Sequence, residues 1–374
     1  MPIKVPMLAL QREYAEIQPR LAGMWEESLS SMRLLKGAHL EAFEQEIAAY
    51  TGAAHAVGVA SGTDALALSL IAVGVVPGDE VLLQANGFTA DVEAIRISGA
   101  VPVLVDLEAG AYGPDVDALA RAVTPRTRAV LVVHLYGVPV EMAPIQELCR
   151  WHGLQLVEDC SHAHGARLDG RHCGTFGDAG AFSAGVIKNL AAYGDAGFII
   201  SDRPEVAQEV RLLQAHGQAK KNHHVRYGFN SRLDELQAAV LRAKLPLLEE
   251  RNARRREYAA YYSEQLRGVC LAVPEPDPRR CNAFHQYVVQ VENRMRLQAG
   301  LKERGIETGV HYPVPLHRQP AWEAAYGTGF SFPRAEAVAD RILSLPVVPD
   351  LTWDEVRYVA AAVRECAAGA GGQP

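Results

Sequence analysis

Lys188, Asp159 and the tripeptide Ser61-Gly62-Thr63 are the residues whose types and settings promise chemistry. Lys188 stands in Phe182-Ser183-Ala184-Gly185-Val186-Ile187-Lys188-Asn189-Leu190, a mostly apolar stretch. An ammonium among such neighbours loses solvation, so its pKa falls from roughly 10.4 and the neutral amine needed for a Schiff base becomes available. Glu158-Asp159 ends an apolar run, which sends an acid out of a buried strand toward any bound ligand. Ser61-Gly62-Thr63 follows another such run and opens a helical pattern, where backbone N–H groups and a hydroxyl suit a phosphate. Taken singly, each has an ordinary explanation: a solvated loop lysine, a strand-end acid, a helix N-cap. Together with Ser183 they supply a Schiff-base amine, a partner for a protonated pyridine nitrogen, and a phosphate cup. Neither a GxxxxGK[ST] loop nor a GxGxxG fingerprint is present, which argues against a nucleotide hydrolase or a dinucleotide site.

Such residues need an open α/β sheet, because ligands there bind outside the carboxyl ends of the strands. Seven strands are predicted, starting at His55, Glu80, Val101, Ala129, Leu154, Ala179 and Gly197. Amphipathic patterns between them, such as those from Thr63 and Glu141, impose a mostly parallel sheet. A single long helical stretch over 233–262 then bridges to a smaller α+β unit. That unit is expected to hold strands from His285 and Ile306, a helix from Arg294, two further helices, and a frayed Gly/Ala tail after Ala367. The expected division is residues 1–245, including the N-terminal segment, and 246–374, in line with roughly 150 residues per domain.

Composition narrows the partners. Among 374 residues, Lys+Arg number 37 and Asp+Glu 44, a net charge of −7 with interspersed signs, which excludes nucleic acid as the main partner. Hydrophobic residues make up 49%, as in a well-packed globular protein, yet no window approaches the roughly 18 apolar residues of a membrane span. Met1 to Pro6 lack a secretory apolar region, and the six cysteines form no CxxC or zinc-ligand spacing. A cytoplasmic location with reduced thiols and no bound metal is the expectation.

Four segments carry a more specific resemblance. Ser61-Gly62-Thr63-Asp64-Ala65-Leu66, Glu158-Asp159-Cys160-Ser161-His162-Ala163-His164-Gly165-Ala166, Lys188-Asn189-Leu190 with Gly194-Asp195-Ala196-Gly197, and Asn230-Ser231-Arg232-Leu233-Asp234-Glu235 occur in that order. The chain thereby resembles the DegT/DnrJ/EryC1/StrS family of sugar aminotransferases from about Lys36 to its end. The resemblance implies an aspartate-aminotransferase-type fold (fold type I), a homodimer, and pyridoxal 5′-phosphate linked covalently to Lys188. It also implies that Asp159 pairs with the pyridine nitrogen, that Phe88 stacks on the ring, and that His162 packs beside it. Gly62, Thr63 and Ser183 would hold the phosphate, joined by Asn230 from the other subunit. Without the family, Phe88 reads as a core residue and Asn230 as a helix N-cap.

Two departures stand out: His162 occupies a position where the family usually has Gln, and the aromatic common before the lysine is missing from Ser183 to Lys188. A titrating His162 would shape the activity near neutral pH. Lys220, Lys221, His223, His224 and Tyr227 are candidates to meet a nucleoside diphosphate, and His311-Tyr312 to meet the sugar. His223 and His224 lack a third ligand and do not read as a metal site. The implied reaction is transfer of an amino group from L-glutamate to a keto group of a nucleotide-linked deoxysugar, with a 3-keto-6-deoxyhexose favoured by subgroup likeness. A keto-cyclitol acceptor and a non-catalytic pyridoxal-phosphate-binding regulator are the alternatives. Retention of Lys188 argues against the regulator and against the family's dehydratases, which replace that lysine with His.

Overall fold

In the computed structural model, residues 5–368 are described. In chain order these are α1 (Leu10–Ser31), α2 (Ala38–Thr51), β1 (His55–Val59), α3 (Gly62–Ala72), β2 (Glu80–Gln84), α4 (Thr89–Ile97), β3 (Val101–Val105), α5 (Val116–Ala122), β4 (Thr127–Val133), α6 (Met142–His152) and β5 (Gln155–Asp159). Next come β6 (Arg167–Leu168), β7 (Arg171–His172), β8 (Ala179–Ser183), β9 (Gly197–Ser201), α7 (Pro204–Leu213), β10 (Gln218–Lys220), β11 (His223–His224), α8 (Glu235–Lys244) and α9 (Leu248–Leu266). The remainder is β12 (Arg280–Cys281), β13 (Tyr287–Gln290), α10 (Arg294–Glu303), α11 (Pro320–Tyr326), α12 (Pro333–Arg341), β14 (Ile342–Leu345) and α13 (Trp353–Ala368).

The seven predicted strands form one sheet in the order β1-β9-β8-β5-β4-β2-β3. Pairing is parallel from β8 through β3, while β9 runs antiparallel to both β8 and β1. The reversal follows from the connection over 184–196, which carries Lys188 and has no crossover helix to return the chain for a parallel pair. Alternation assigns the two faces. Leu83, Leu131 and Val157 pack with α3 residues Leu66 and Leu70, whereas Leu82, Val130 and Leu156 pack with α6 residues Ile145 and Cys149. Because both faces are covered, the strands read as apolar runs, which is why they were legible. This is the fold type I architecture expected from the sequence.

Two expectations differ. The stretch over 233–262 divides at a 3₁₀ turn, Leu245–Leu247, where Pro246 lacks the N–H that would continue α8 into α9. The run from Ile306 makes no strand: Ile306 bridges Val5 and Gly309 bridges Ser344, and the true partner of β13 is β14. The anticipated tail after Ala367 lies outside the described residues except for Ala368.

A second apolar cluster joins Tyr258 and Tyr262 of α9 to Tyr287, Val289, Leu343 and Leu345 of the small sheet and to α13. Val5 belongs to it, so the N-terminal segment reaches the C-terminal region, while Ile17 and Leu21 of α1 pack against Val240 and Ala243 of α8. Among the described residues, no helix is long and apolar enough to cross a membrane.

Candidate active site

Strand pairing brings the chemical residues to one edge of the sheet. Val59 and Ser183 both pair with Gly197, and Asp159 pairs with Ala181, so the ends of β1, β8 and β5 lie side by side. Contact there is close. A Cβ on Gly62 would come within 2.4 Å of Ser183 Cβ, and one on Gly197 within 2.3 Å of the Ser61 carbonyl oxygen. Only glycine leaves room for the start of α3 to approach β8 and β9 this closely. Ser61 Oγ accepts from Asp64 N at 3.1 Å and is a helix N-cap. Gly62 and Thr63 lie in the first turn, where backbone N–H groups have no helical partner and favour an anion. Ser231 Oγ donates to Asp64 Oδ2 at 2.7 Å and accepts from Ala60 N at 3.1 Å, tying the segment that carries Asn230 to this helix start.

Asp159 is 7% exposed, and its Oδ1 accepts from Ser161 N at 2.8 Å. The neighbouring Glu158 points into the protein, where its carboxylate accepts from Gly174 N and Gly177 N at 2.8 and 2.7 Å and faces His134 Nε2 at 2.8 Å. His134 Nδ1 accepts from Val140 N, so Nε2 carries the proton. This network fixes the strand end on which Asp159 sits. With Cys160 it brings three ligand-type atoms within 4.8 Å of one another, a grouping that cysteine spacing could not foretell.

Lys188 is half-buried on the turn Gly185–Lys188. Burial pushes its amine below the ordinary value, against the opposing pull of Asp159 and Asp91. Desolvation therefore comes from the fold, since Val186 and Ile187 are exposed. Asp91 was not anticipated. It is fully buried, its Oδ2 accepts from Phe88 N at 3.2 Å, and its Oδ1 has no hydrogen-bond partner. Burial first, then the neighbouring Asp159, holds its carboxyl well above the usual range. From sequence alone it reads as a first-turn capping acid.

His162 Nδ1 accepts from Tyr136 N at 3.2 Å, and its ring lies 4.3 Å from that of His285. Burial pushes both histidines well below the ordinary value, aided by Lys188, so His162 is neutral near pH 7 and does not titrate there. His311 Nδ1 meets Ser344 Oγ at 2.8 Å, and Tyr312 faces Phe88 with ring centroids 5.4 Å apart. Phe88 is 52% exposed, as befits a wall and not a core residue. The ribbon β10–β11 bearing Lys220, Lys221, His223 and His224 is exposed, as are Tyr227 and Asn230. In this chain none of these six side chains hydrogen-bonds a described residue of the Lys188 cluster; His224 Nδ1 meets the His216 carbonyl at 2.9 Å.

The buried histidines set the acid stability. His162 and His285 lie well below the ordinary value, His164 falls to about 3 and His311 to about 4, each chiefly through burial. Unfolded histidines bind protons below roughly pH 6.5 while these folded ones do not, so stability is fully present above that pH and is lost as pH falls. Each fully buried histidine contributes about 1.4 kcal/mol per pH unit over that window. The melting temperature is expected to fall steeply between pH 6.5 and 4.5 with proton uptake on unfolding; a flat profile there would contradict it.

A group with a phosphate and a protonated ring nitrogen fits these donors. The Gly62–Ser183–Gly197 cradle admits no extra Cβ, the Asp159 carboxyl acts on a desolvated amine, and a buried carboxyl oxygen lacks a partner. Residues 16–364 match the DegT/DnrJ/EryC1/StrS aminotransferase family. A "Pleiotropic regulatory protein" of Geobacillus stearothermophilus is 39% identical over 97% of this chain and 98% of its own length. The dTDP-3-amino-3,4,6-trideoxy-alpha-D-glucose transaminase of Streptomyces venezuelae is 42% identical over 97% of this chain and 96% of its own. A crystal structure of S. venezuelae DesV in complex with a ketimine intermediate superposes with a TM-score of 0.95 at 42% identity, covering 98% of this chain and 99% of that one. The chain belongs to the DegT/DnrJ/EryC1/StrS aminotransferase family and is a pyridoxal 5′-phosphate-dependent aminotransferase.

Proposed function

We propose that this protein transfers an amino group from L-glutamate to a keto group of a nucleotide-linked deoxysugar, with a 3-keto-6-deoxyhexose as the favoured acceptor. The observation that carries the reading is the meeting, at one sheet edge, of the desolvated Lys188 amine, Asp159 and the Gly62–Ser183 cradle. Likeness to a transaminase named for a 3-amino sugar supports the position of the ketone. Bound pyridoxal phosphate supplies an electron sink for charge developing at the donor's α-carbon. Lys188 anchors it and, as a neutral amine, accepts the α-proton at Nζ. Asp159 holds a negative charge for the ring nitrogen, and Phe88 and His162 confine the ring. Gly62, Thr63 and Ser183 bind the phosphate, with Asn230 supplied by the second subunit of a homodimer in the cytoplasm.

For the acceptor, the exposed ribbon offers Lys220 and Lys221, with His223, His224 and Tyr227 beside them, to a diphosphate, while His311 and Tyr312 border the sugar. Binding energy from the remote nucleotide would position the ketone, so its removal should lower turnover as well as affinity. The test is kcat/KM for matched 3-keto and 4-keto sugar nucleotides and a free keto-cyclitol, with glutamate as donor. The 3-keto nucleotide is expected to lead by about tenfold or more, the worth of one hydrogen bond to a charged group. Preference for the free ring would instead favour the cyclitol reading, which His162 in place of Gln motivates.

A further inference from the structure

Asn189 follows Lys188 in the chain, is buried, and has its amide held from three sides. Nδ2 donates to Asn252 Oδ1 on α9 and to the Ala283 carbonyl, both at 2.9 Å, and Oδ1 meets His285 Nδ1 at 3.1 Å. Two backbone carbonyls dictate the direction of this chain of contacts. Asn252 Nδ2 donates to the His164 carbonyl at 2.7 Å, which leaves Asn252 Oδ1 to face Asn189. That oxygen and the Ala283 carbonyl are both acceptors, so the NH₂ of Asn189 lies on their side and its oxygen on the other. His285 Nδ1 therefore meets an acceptor and carries the ring proton, and Nε2 is a bare lone pair.

Nothing around His285 favours a second proton. Burial first, then His162, Lys188, Arg255 and His311, all act against a positive charge on it. Its Nε2 hydrogen-bonds no described residue. The ring lines the same cavity, of about 240 Å³, as Ile187, the residue before Lys188. Its stacked neighbour His162, whose Nδ1 accepts from Tyr136 N, has the opposite tautomer and offers an N–H. Of these two rings, His285 is the one that can receive a proton donor.

We infer that Asn189 is a positioning residue that locks His285 with Nε2 unprotonated, and that this nitrogen accepts a hydrogen bond from Lys188 Nζ once the amine has taken the α-proton. This rests on the reading of Lys188 as the proton acceptor. The proton stays on Nζ and His285 stays neutral. A neutral acceptor orients the ammonium with less stabilisation than a carboxylate would give, which leaves the proton transferable.

One readout is independent of turnover. Nitrogen NMR of the histidine rings in the wild-type holoenzyme, with His285 identified by the signals that His285→Gln removes, should show a protonated Nδ1 and a bare Nε2 at neutral pH. A proton on Nε2 there overturns the inference. In the donor half-reaction, followed by cofactor absorbance with L-glutamate and no acceptor, His285→Leu should slow the step about 10–100-fold at unchanged half-saturation. His285→Gln, which can still present an acceptor, should fall between. Asn189→Asp sets a carboxylate against Nδ1–H and favours the doubly protonated ring, so the acid limb of the rate should move up by about 1–3 pH units. It should return to its wild-type position when His285→Gln is added. A merely structural Asn189 would lower the plateau and leave the limb in place. An unmoved limb in folded Asn189→Asp, or equal rates for His285→Leu and wild type, overturns the inference. Where Asn189→Asp does not fold, or none of L-glutamate, L-alanine and L-glutamine reacts, the ring tautomer decides. Borohydride labelling of each protein separates the two readings: a pyridoxyl group on another lysine sinks the role of Lys188, while a label on Lys188 with the limb unmoved sinks the role of Asn189 and His285 alone.

Discussion

Lys188→Ala should lose the absorption of the lysine-linked cofactor and lower amino transfer at least about 10³-fold, since covalent anchoring and proton transfer disappear together. The lysine is irreplaceable because of its surroundings. Burial holds its amine below the ordinary value, Asp159 and Asp91 face it, and its turn is fixed where β8 ends. Among the described residues, Lys188 is the lysine whose charge acts on Asp91 and His162. Cofactor retention and turnover are read from the absorption spectrum and single-turnover mixing. Persistence of the band through a borohydride-reducible link in the variant would mean that the lysine is misassigned.

The second large effect separates two adjacent carboxyls. Asp159→Asn should lower the rate about 10²–10³-fold, the usual loss when one preorganised electrostatic partner is removed from a dry site. Asp91→Asn should stay within about threefold, because burial already disfavours the charged form of Asp91 and an amide preserves its shape and its acceptance from Phe88 N. Stopped-flow rates with L-glutamate alone compare the two without any acceptor. Equal damage by both variants would show that Asp159 has no role distinct from that of Asp91.

Both predictions rest on residues of unequal legibility. The strands were readable because a sheet covered on both faces needs apolar runs, and their carboxyl ends delivered Asp159, Ser183 and Ser61-Gly62-Thr63 to one edge. Asp91 escaped because a first-turn acid is ordinarily a cap, and only the packing of α4 against the strand ends makes it fully buried. His285 escaped for a similar reason: beside an apolar run it reads as the start of a strand, and its approach to His162 depends on chain segments far apart in sequence. The break at Pro246 was visible in principle, but the Leu, Glu and Arg periodicity continues on both sides of it. Apparent strand character from Ile306 was misleading because only Gly309 reaches the small sheet, whose second strand is the short run Ile342–Leu345. Burial likewise settles His162, whose type suggests titration near neutral pH and whose environment prevents it.

The central claim is that Lys188 holds the cofactor beside Asp159. Reducing the wild-type holoenzyme with borohydride and locating the pyridoxyl group by peptide mass spectrometry tests it most directly. The account predicts a single modified residue, Lys188; a pyridoxyl group on any other lysine, or no covalent label on a protein that retains its cofactor, would contradict it.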